Sequence, residues 1–166
     1  ERRAQPPATA RHARFALAPA DGDGPLVSIL CSLYRGGPYI RRYLDTITGQ
    51  TIFGRCELII VDAASPDGEG DTIAGYAARF PQIRHVRLPY RATVYAAWNA
   101  AIALSRGRYL TNANLDDLRR HDSIEIQAAT LDSLPFADIV YQDFLYTFDH
   151  TLDFDAVAAA GVTSRL

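Results

Sequence analysis

The chain contains no methionine and no lysine; all 17 of its positive side chains are arginines. A guanidinium fork suits phosphate or carboxylate, yet an all-arginine habit follows equally from genome composition, so by itself it names no ligand. Cysteine is scarce. Cys31 and Cys56 both sit in apolar, strand-like runs, where a small buried thiol is the ordinary reading and a disulfide or metal site the rare one. A reducing, cytoplasmic setting is the matching expectation. His12, His85, His121 and His150 lack metal-ligand spacing, which removes a zinc site. No apolar run reaches the roughly 18 residues that a membrane span needs. A net charge of −2 leaves no basic footprint for nucleic acid. Without Met, and with an Arg/Ala/Pro-rich lead from Glu1 that lacks a signal-peptide core, the chain is expected to be an internal fragment or a processed piece.

What is present is ordinary globular usage, 48% hydrophobic and 22% charged, which excludes disordered and fibrous classes. At 166 residues one sizeable core is expected, burying roughly 70% of the unfolded surface. Residues 1–24 have no sustained period and end in the turn-forming run Asp21-Gly22-Asp23-Gly24, so they read as a flexible linker or tail. The domain proper is expected over 25–150, with an irregular C-terminal tail over 151–166. Inside the domain, short apolar β-type runs alternate with longer helical periods. That pattern implies α/β architecture: an open, mainly parallel sheet with helices on both faces.

The first strand is expected at 26–33, apolar throughout as in a strand covered on both sides. Pro38 opens a helix whose positions Ile40, Tyr43, Leu44 and Ile47 recur at helical spacing. Strands follow at 56–61, 83–88, 108–112 and 138–145. Helices are expected at 72–80, from a Thr93 cap through Trp98 to Leu104, and at 123–134. The total is five strands and four helices.

In an open α/β sheet, ligands settle at the carboxyl ends of the strands. The residues expected there are Ser32 and Tyr34, Asp62, Arg91, then Asn114, Asp116 and Asp117, with Asp143 in the fifth strand. This crescent is net acidic. An anionic ligand fits it only through a bridging divalent cation, because Mg²⁺ and Mn²⁺ take one or two carboxylates plus phosphate oxygens. A helix N-terminus offers an anion about 0.3–1 kcal/mol, against roughly 4 kcal/mol for a unit-charge contact at about 4 Å and an effective dielectric of about 20. The cation therefore dominates.

Four blocks carry a resemblance: Val27-Ser28-Ile29-Leu30-Cys31-Ser32-Leu33-Tyr34; Glu57-Leu58-Ile59-Ile60-Val61-Asp62; Ala96-Ala97-Trp98-Asn99-Ala100-Ala101-Ile102; and Gly107-Arg108-Tyr109-Leu110 leading to Asp116-Asp117. In order and spacing the chain resembles family 2 glycosyltransferases of the GT-A, Rossmann-like fold. The resemblance implies a nucleotide-sugar-binding half, cut off before the acceptor-binding half. It implies that Tyr34 packs against the base with Ser32 beside it. Asp62 then begins a paired-Asp motif contacting base or ribose, and Asp116 is the metal-ligating last carboxylate of a DxD motif. The implied partners are a UDP- or GDP-type nucleoside diphosphate sugar and a carbohydrate or other hydroxyl acceptor, with Mg²⁺ or Mn²⁺ as cofactor.

Three departures stand out: Ala63 replaces the second acid after the second strand, Asn114 replaces the first Asp of DxD, and Trp98 takes a position often held by Arg. Asn114 keeps a hydrogen bond for ribose or a metal-bound water while removing a charge. The catalytic base of such enzymes usually follows a later strand, which leaves Asp143 as the late carboxylate near the rim. A non-catalytic nucleotide-sugar-binding module is the alternative. A dinucleotide-binding oxidoreductase is disfavoured, because only Gly36-Gly37 follows the first strand where G-x-G-x-x-G is needed.

Overall fold

A computed structural model of the chain describes residues 24–144, 147, 149 and 151–159. The expected linker therefore lies, but for Gly24, outside the described residues. Val27–Leu33, with the sequence VSILCSL, forms the central strand β1. Around it run α1 (Ile40–Thr48), β2 (Cys56–Asp62), α2 (Gly70–Ala77), β3 (Ile83–Arg87), α3 (Val94–Leu104), β4 (Tyr109–Asn112), α4 (Ser123–Ser133) and α5 (Phe154–Ala159), with one 3₁₀ turn at Phe53–Arg55. The sheet has four parallel strands in the order β3-β2-β1-β4. Among the described residues no helix is long and apolar enough to cross a membrane.

Strand side chains alternate between faces, and that alternation distributes the core. Val27, Ile29, Cys31 and Leu33 pack with Leu58 and Ile60 under α1, α2 and α4. Leu30, Ile59 and Val61 face the other way, against Ala97 and Ala101 of α3. Helix α1 buries Ile40, Tyr43, Leu44 and Ile47 on one stripe, each worth about 1.5–3 kcal/mol of burial. The α3 start is as expected: Thr93 Oγ1 accepts the Ala96 N–H at 3.2 Å. Both cysteines are free and buried.

The turn into β4 passes very close to β1. A Cβ on Gly107 would lie 2.4 Å from the Ser28 nitrogen and 2.8 Å from the Val27 carbonyl carbon, so glycine is required by contact. Ser28 Oγ accepts the Gly107 N–H at 2.8 Å and donates to Glu57 Oε1 at 2.6 Å, and the same Glu57 oxygen accepts the Arg106 N–H at 2.6 Å. A buried carboxyl is thus satisfied by donors from β1 and from the turn before β4, which fixes β4 in register beside β1.

The expected fifth strand is corrected. Residues 138–144 form no strand, and Leu145 lies outside the described residues. Ile139, Tyr141 and Phe144 are exposed. A single segment that joins no ladder on the free edge of β4 gains neither pairing nor burial, so apolar content alone does not make it a strand. The second helix begins at Gly70 and ends at Ala77, earlier than expected. Helix α5 forms inside the segment read as irregular, where Asp153 Oδ1 accepts the Ala156 N–H at 2.8 Å and Val157 is buried. That cap is a local signal which composition hides.

Candidate functional site

β1, β2 and β4 all end at one edge of the sheet. Ser32 is half-buried in β1, opposite Val61. The chain then turns through Tyr34 and Arg35, and Arg35 adopts a left-handed φ of 53°. After β2 a second tight turn contains Ala64 at φ 56°. Non-glycine residues in this region cost about 1–3 kcal/mol and persist only where surroundings over-determine them. The half-buried Tyr34 ring carries the Arg91 guanidinium at 4.4 Å and that of Arg35 at 5.7 Å from its centroid. Arg91, from the loop after β3, is thereby brought onto the same rim.

Asp62 ends β2 and is 1% exposed. Its Oδ1 accepts the Ser65 N–H at 2.7 Å. Its Oδ2 is paired with Arg87, with His85 Nε2 at 3.4 Å. Arg87 also donates to the Ser65 carbonyl at 2.9 Å. The carboxyl expected to touch a nucleoside therefore clamps the turn after β2. Ala63 beside it is buried as well.

After β4, Ala113 N–H donates to the Leu30 carbonyl at 2.9 Å, and Asp117 N–H closes a turn on Asn114 O at 3.3 Å. Asn114 Nδ2 donates to Asp117 Oδ2 at 2.8 Å. Asp116 is exposed and makes no hydrogen bond or ion pair with the described residues. A Cβ on Gly36 would lie 2.6 Å from Leu115 Cδ1, so the 34–37 loop and the 114–117 turn are in contact. Tyr34 and Asp116 belong to these two contacting segments. Sequence reasoning missed Arg119, which donates to the Asn112 carbonyl and, at 3.4 Å, to Thr111 Oγ1. It lies near Asp117, and burial pushes its guanidinium below its ordinary value. Ser65 and Glu69 were also missed as site-building residues.

Among the described residues no group of three or more His, Cys, Asp or Glu side chains converges on a point. The turn is therefore not a closed protein cage. One exposed, uncommitted carboxyl with a second beside it fits a cation that draws its other ligands from phosphate and water. A cleft of about 1020 Å³ opens beside this turn, with Asp116, Asp117, Arg119, Tyr141, Asp143 and Phe154 in its wall. Asp143 is exposed and shares the cleft with Asp116. Ser32, Tyr34 and Asp62 do not line it.

An uncharacterized protein, y4gI, of Sinorhizobium fredii is 30% identical over 123 residues, covering 73% of this chain and 13% of its own. The glycosyltransferase GlyG of Streptococcus pneumoniae is 25% identical over 126 residues, covering 76% of this chain and 41% of its own. Among solved structures, S. aureus TarS 1-349 in complex with UDP superposes with a TM-score of 0.60 at 19% identity, over 64% of this chain and 32% of that one. The mannosyltransferase PcManGT of Pyrobaculum calidifontis, in complex with GDP-Man and Mn²⁺, superposes with a TM-score of 0.58 at 25% identity, over 67% and 32%. The chain spans less than half the length of each of these proteins. The parallel sheet with helices on both faces is the GT-A fold of these structural neighbours. The pattern of glycosyl transferase family 2 matches residues 28–156, most of the sequence, and the chain belongs to that family.

Proposed function

We propose that this chain forms the donor-binding part of a glycosyltransferase that moves a sugar from a UDP- or GDP-type nucleoside diphosphate sugar to a hydroxyl acceptor. The carrying observation is the contact between the 34–37 loop and the 114–117 turn, the turn in which Asp116 is exposed and uncommitted. That TarS is solved with UDP and PcManGT with GDP-Man and Mn²⁺ supports the same reading.

In this reading Tyr34 offers a ring face to the base and Ser32 a hydroxyl beside it. Arg91 now covers that face at 4.4 Å, so nucleoside entry displaces a guanidinium that is then free for phosphate oxygens. Asn114 presents an amide to the ribose. Asp116, with Asp117 behind it, would hold Mg²⁺ or Mn²⁺. Such a cation, when bound, offsets the negative charge growing on the departing diphosphate. Asp143, which lines the same cleft, is the side chain this reading assigns to an acceptor hydroxyl.

Titration calorimetry with UDP and GDP, with and without Mn²⁺, tests the proposal. One nucleotide should bind more tightly with metal, and Asp116→Ala should remove the metal-dependent part while Asp117→Ala retains most of it. Binding that ignores Mn²⁺ for both nucleotides refutes the clamp. Equal losses in the two variants would move the ligand role away from Asp116.

A further inference from the structure

Glu69 stands just before α2, is 2% exposed, and has no ion-pair partner among the described residues. Its Oε1 accepts the Gly36 N–H at 2.6 Å and the Ser65 hydroxyl at 2.8 Å. Its Oε2 is buried and meets no hydrogen-bond donor among the described residues. Buried carboxyls are normally paired with a cation or fully hydrogen-bonded, so a half-satisfied one calls for a reason.

The reason lies in what its donors hold. Ser65 Oγ, besides donating to Glu69, accepts the Arg35 N–H at 2.8 Å. The N–H groups of both residues that follow Tyr34 are therefore gripped by one buried pair. Arg35 sits there at φ 53°, a conformation its side chain disfavours and these bonds enforce. Ser65 is itself fixed at its N–H by Asp62 and at its carbonyl by Arg87. A continuous relay thus runs from β3 through the turn after β2 to the loop after β1. It ends one residue from the Tyr34 ring.

We infer that Glu69 is a positioning residue of the nucleoside site: acting through Ser65 and the Gly36 N–H, it sets the 34–37 loop so that Tyr34 presents its ring to the base. The inference rests on the nucleotide reading above. It assigns to a buried acid, outside the residues that touch ligand, control over nucleoside affinity separate from metal affinity.

The test measures UDP and GDP binding by calorimetry, with and without Mn²⁺, on the full chain carrying Glu69→Leu, Glu69→Gln or Ser65→Ala. Wild-type protein that binds neither nucleotide overturns the nucleotide reading itself and is seen before any variant is made. With wild-type binding present, Glu69→Leu and Ser65→Ala should each weaken the nucleotide about tenfold, equal to about 1.4 kcal/mol. The affinity ratio with and without Mn²⁺ should not change. Glu69→Gln keeps the Oε1 acceptor and should stay within about threefold of wild type, and Ser65→Ala combined with Glu69→Leu should be no worse than Glu69→Leu alone. Wild-type affinity in both Glu69→Leu and Ser65→Ala, or a loss in Glu69→Gln as deep as in Glu69→Leu, overturns the inference. If Glu69→Leu does not fold, Ser65→Ala against Glu69→Gln decides in the same way.

Discussion

Asp62→Ala and Asp62→Asn separate a clamp from a ligand. In the folded chain the carboxyl is 1% exposed, takes the Ser65 N–H at 2.7 Å and pairs with Arg87. Alanine strands the buried Ser65 N–H, at a cost of about 1–3 kcal/mol. It also removes a charge-assisted contact from Arg87. That side chain is 52% exposed and rehydrates when released, so this part is discounted to about 0.5–1 kcal/mol. The expected total is about 1.5–4 kcal/mol. Asparagine keeps an acceptor for the Ser65 N–H and loses mainly the charge, so about 1 kcal/mol is expected. Urea unfolding followed by circular dichroism reads both variants, and with a slope of about 1–3 kcal/mol/M the alanine midpoint should fall by at least about 0.5 M. An Asp62→Ala midpoint equal to wild type, or an Asp62→Asn loss as large as that of alanine, refutes the clamp. If Asp62→Asn folds with near-native stability yet abolishes nucleotide binding, Asp62 touches the ligand after all.

Gly107→Ala forces a methyl against the Ser28 and Val27 backbone and should destabilise by about 3 kcal/mol, read as a lowered thermal midpoint; an unchanged midpoint refutes the close approach. Burial pushes the Cys31 thiol from 9.0 up to about 12 and the Cys56 thiol up to about 11. The folded state holds both protonated, so their contribution to stability is complete below pH 9 and is lost as pH rises toward 11 and 12; urea midpoints measured across that range should fall, and rapid thiol labelling of native protein near about pH 8 would contradict the burial. Asn114→Asp adds a third carboxylate to the turn, beside Asp116 and Asp117, and should raise the Mn²⁺-dependent gain in nucleotide affinity about tenfold; a reduced gain would show that the amide itself contacts ligand.

The sheet was legible because its strands are regular. VSILCSL and CELIIVD read as buried parallel strands from apolar content alone, and the alternation that splits their side chains between two helical layers is fixed by the pleat. Thr93 and the α1 stripe were readable for equally local reasons. Residues 138–144 were misread because strand formation needs a neighbouring ladder, and no run of ten residues states whether its neighbour is there. Helix α5 was missed for the opposite reason: a single Asp153 cap starts it, against a background with no clear period. The close approach of Gly107 to β1 and the burial of Glu57 depend on contacts 79 and 29 residues apart, which spacing does not reveal.

At the site, the strand-end rule points to one edge of the sheet but does not by itself distinguish the acids there. Burial divides them. Asp62 and Glu69 are enclosed and already accept hydrogen bonds from the loops they hold. Turning Asp62 toward a ligand would break its own bonds at a cost of about 1.5–4 kcal/mol, a large share of the roughly 8 kcal/mol available to a micromolar ligand. Asp116 has nothing to break, so its full electrostatic contribution is open to a cation. The favoured division of labour is then enclosed acids that set loop geometry and an exposed acid that meets charge. It follows that Asp116→Asn should act on the metal-dependent part of binding with no change in the urea midpoint, while Asp62→Asn should move the midpoint first. A stability loss in Asp116→Asn matching that of Asp62→Asn would erase the distinction.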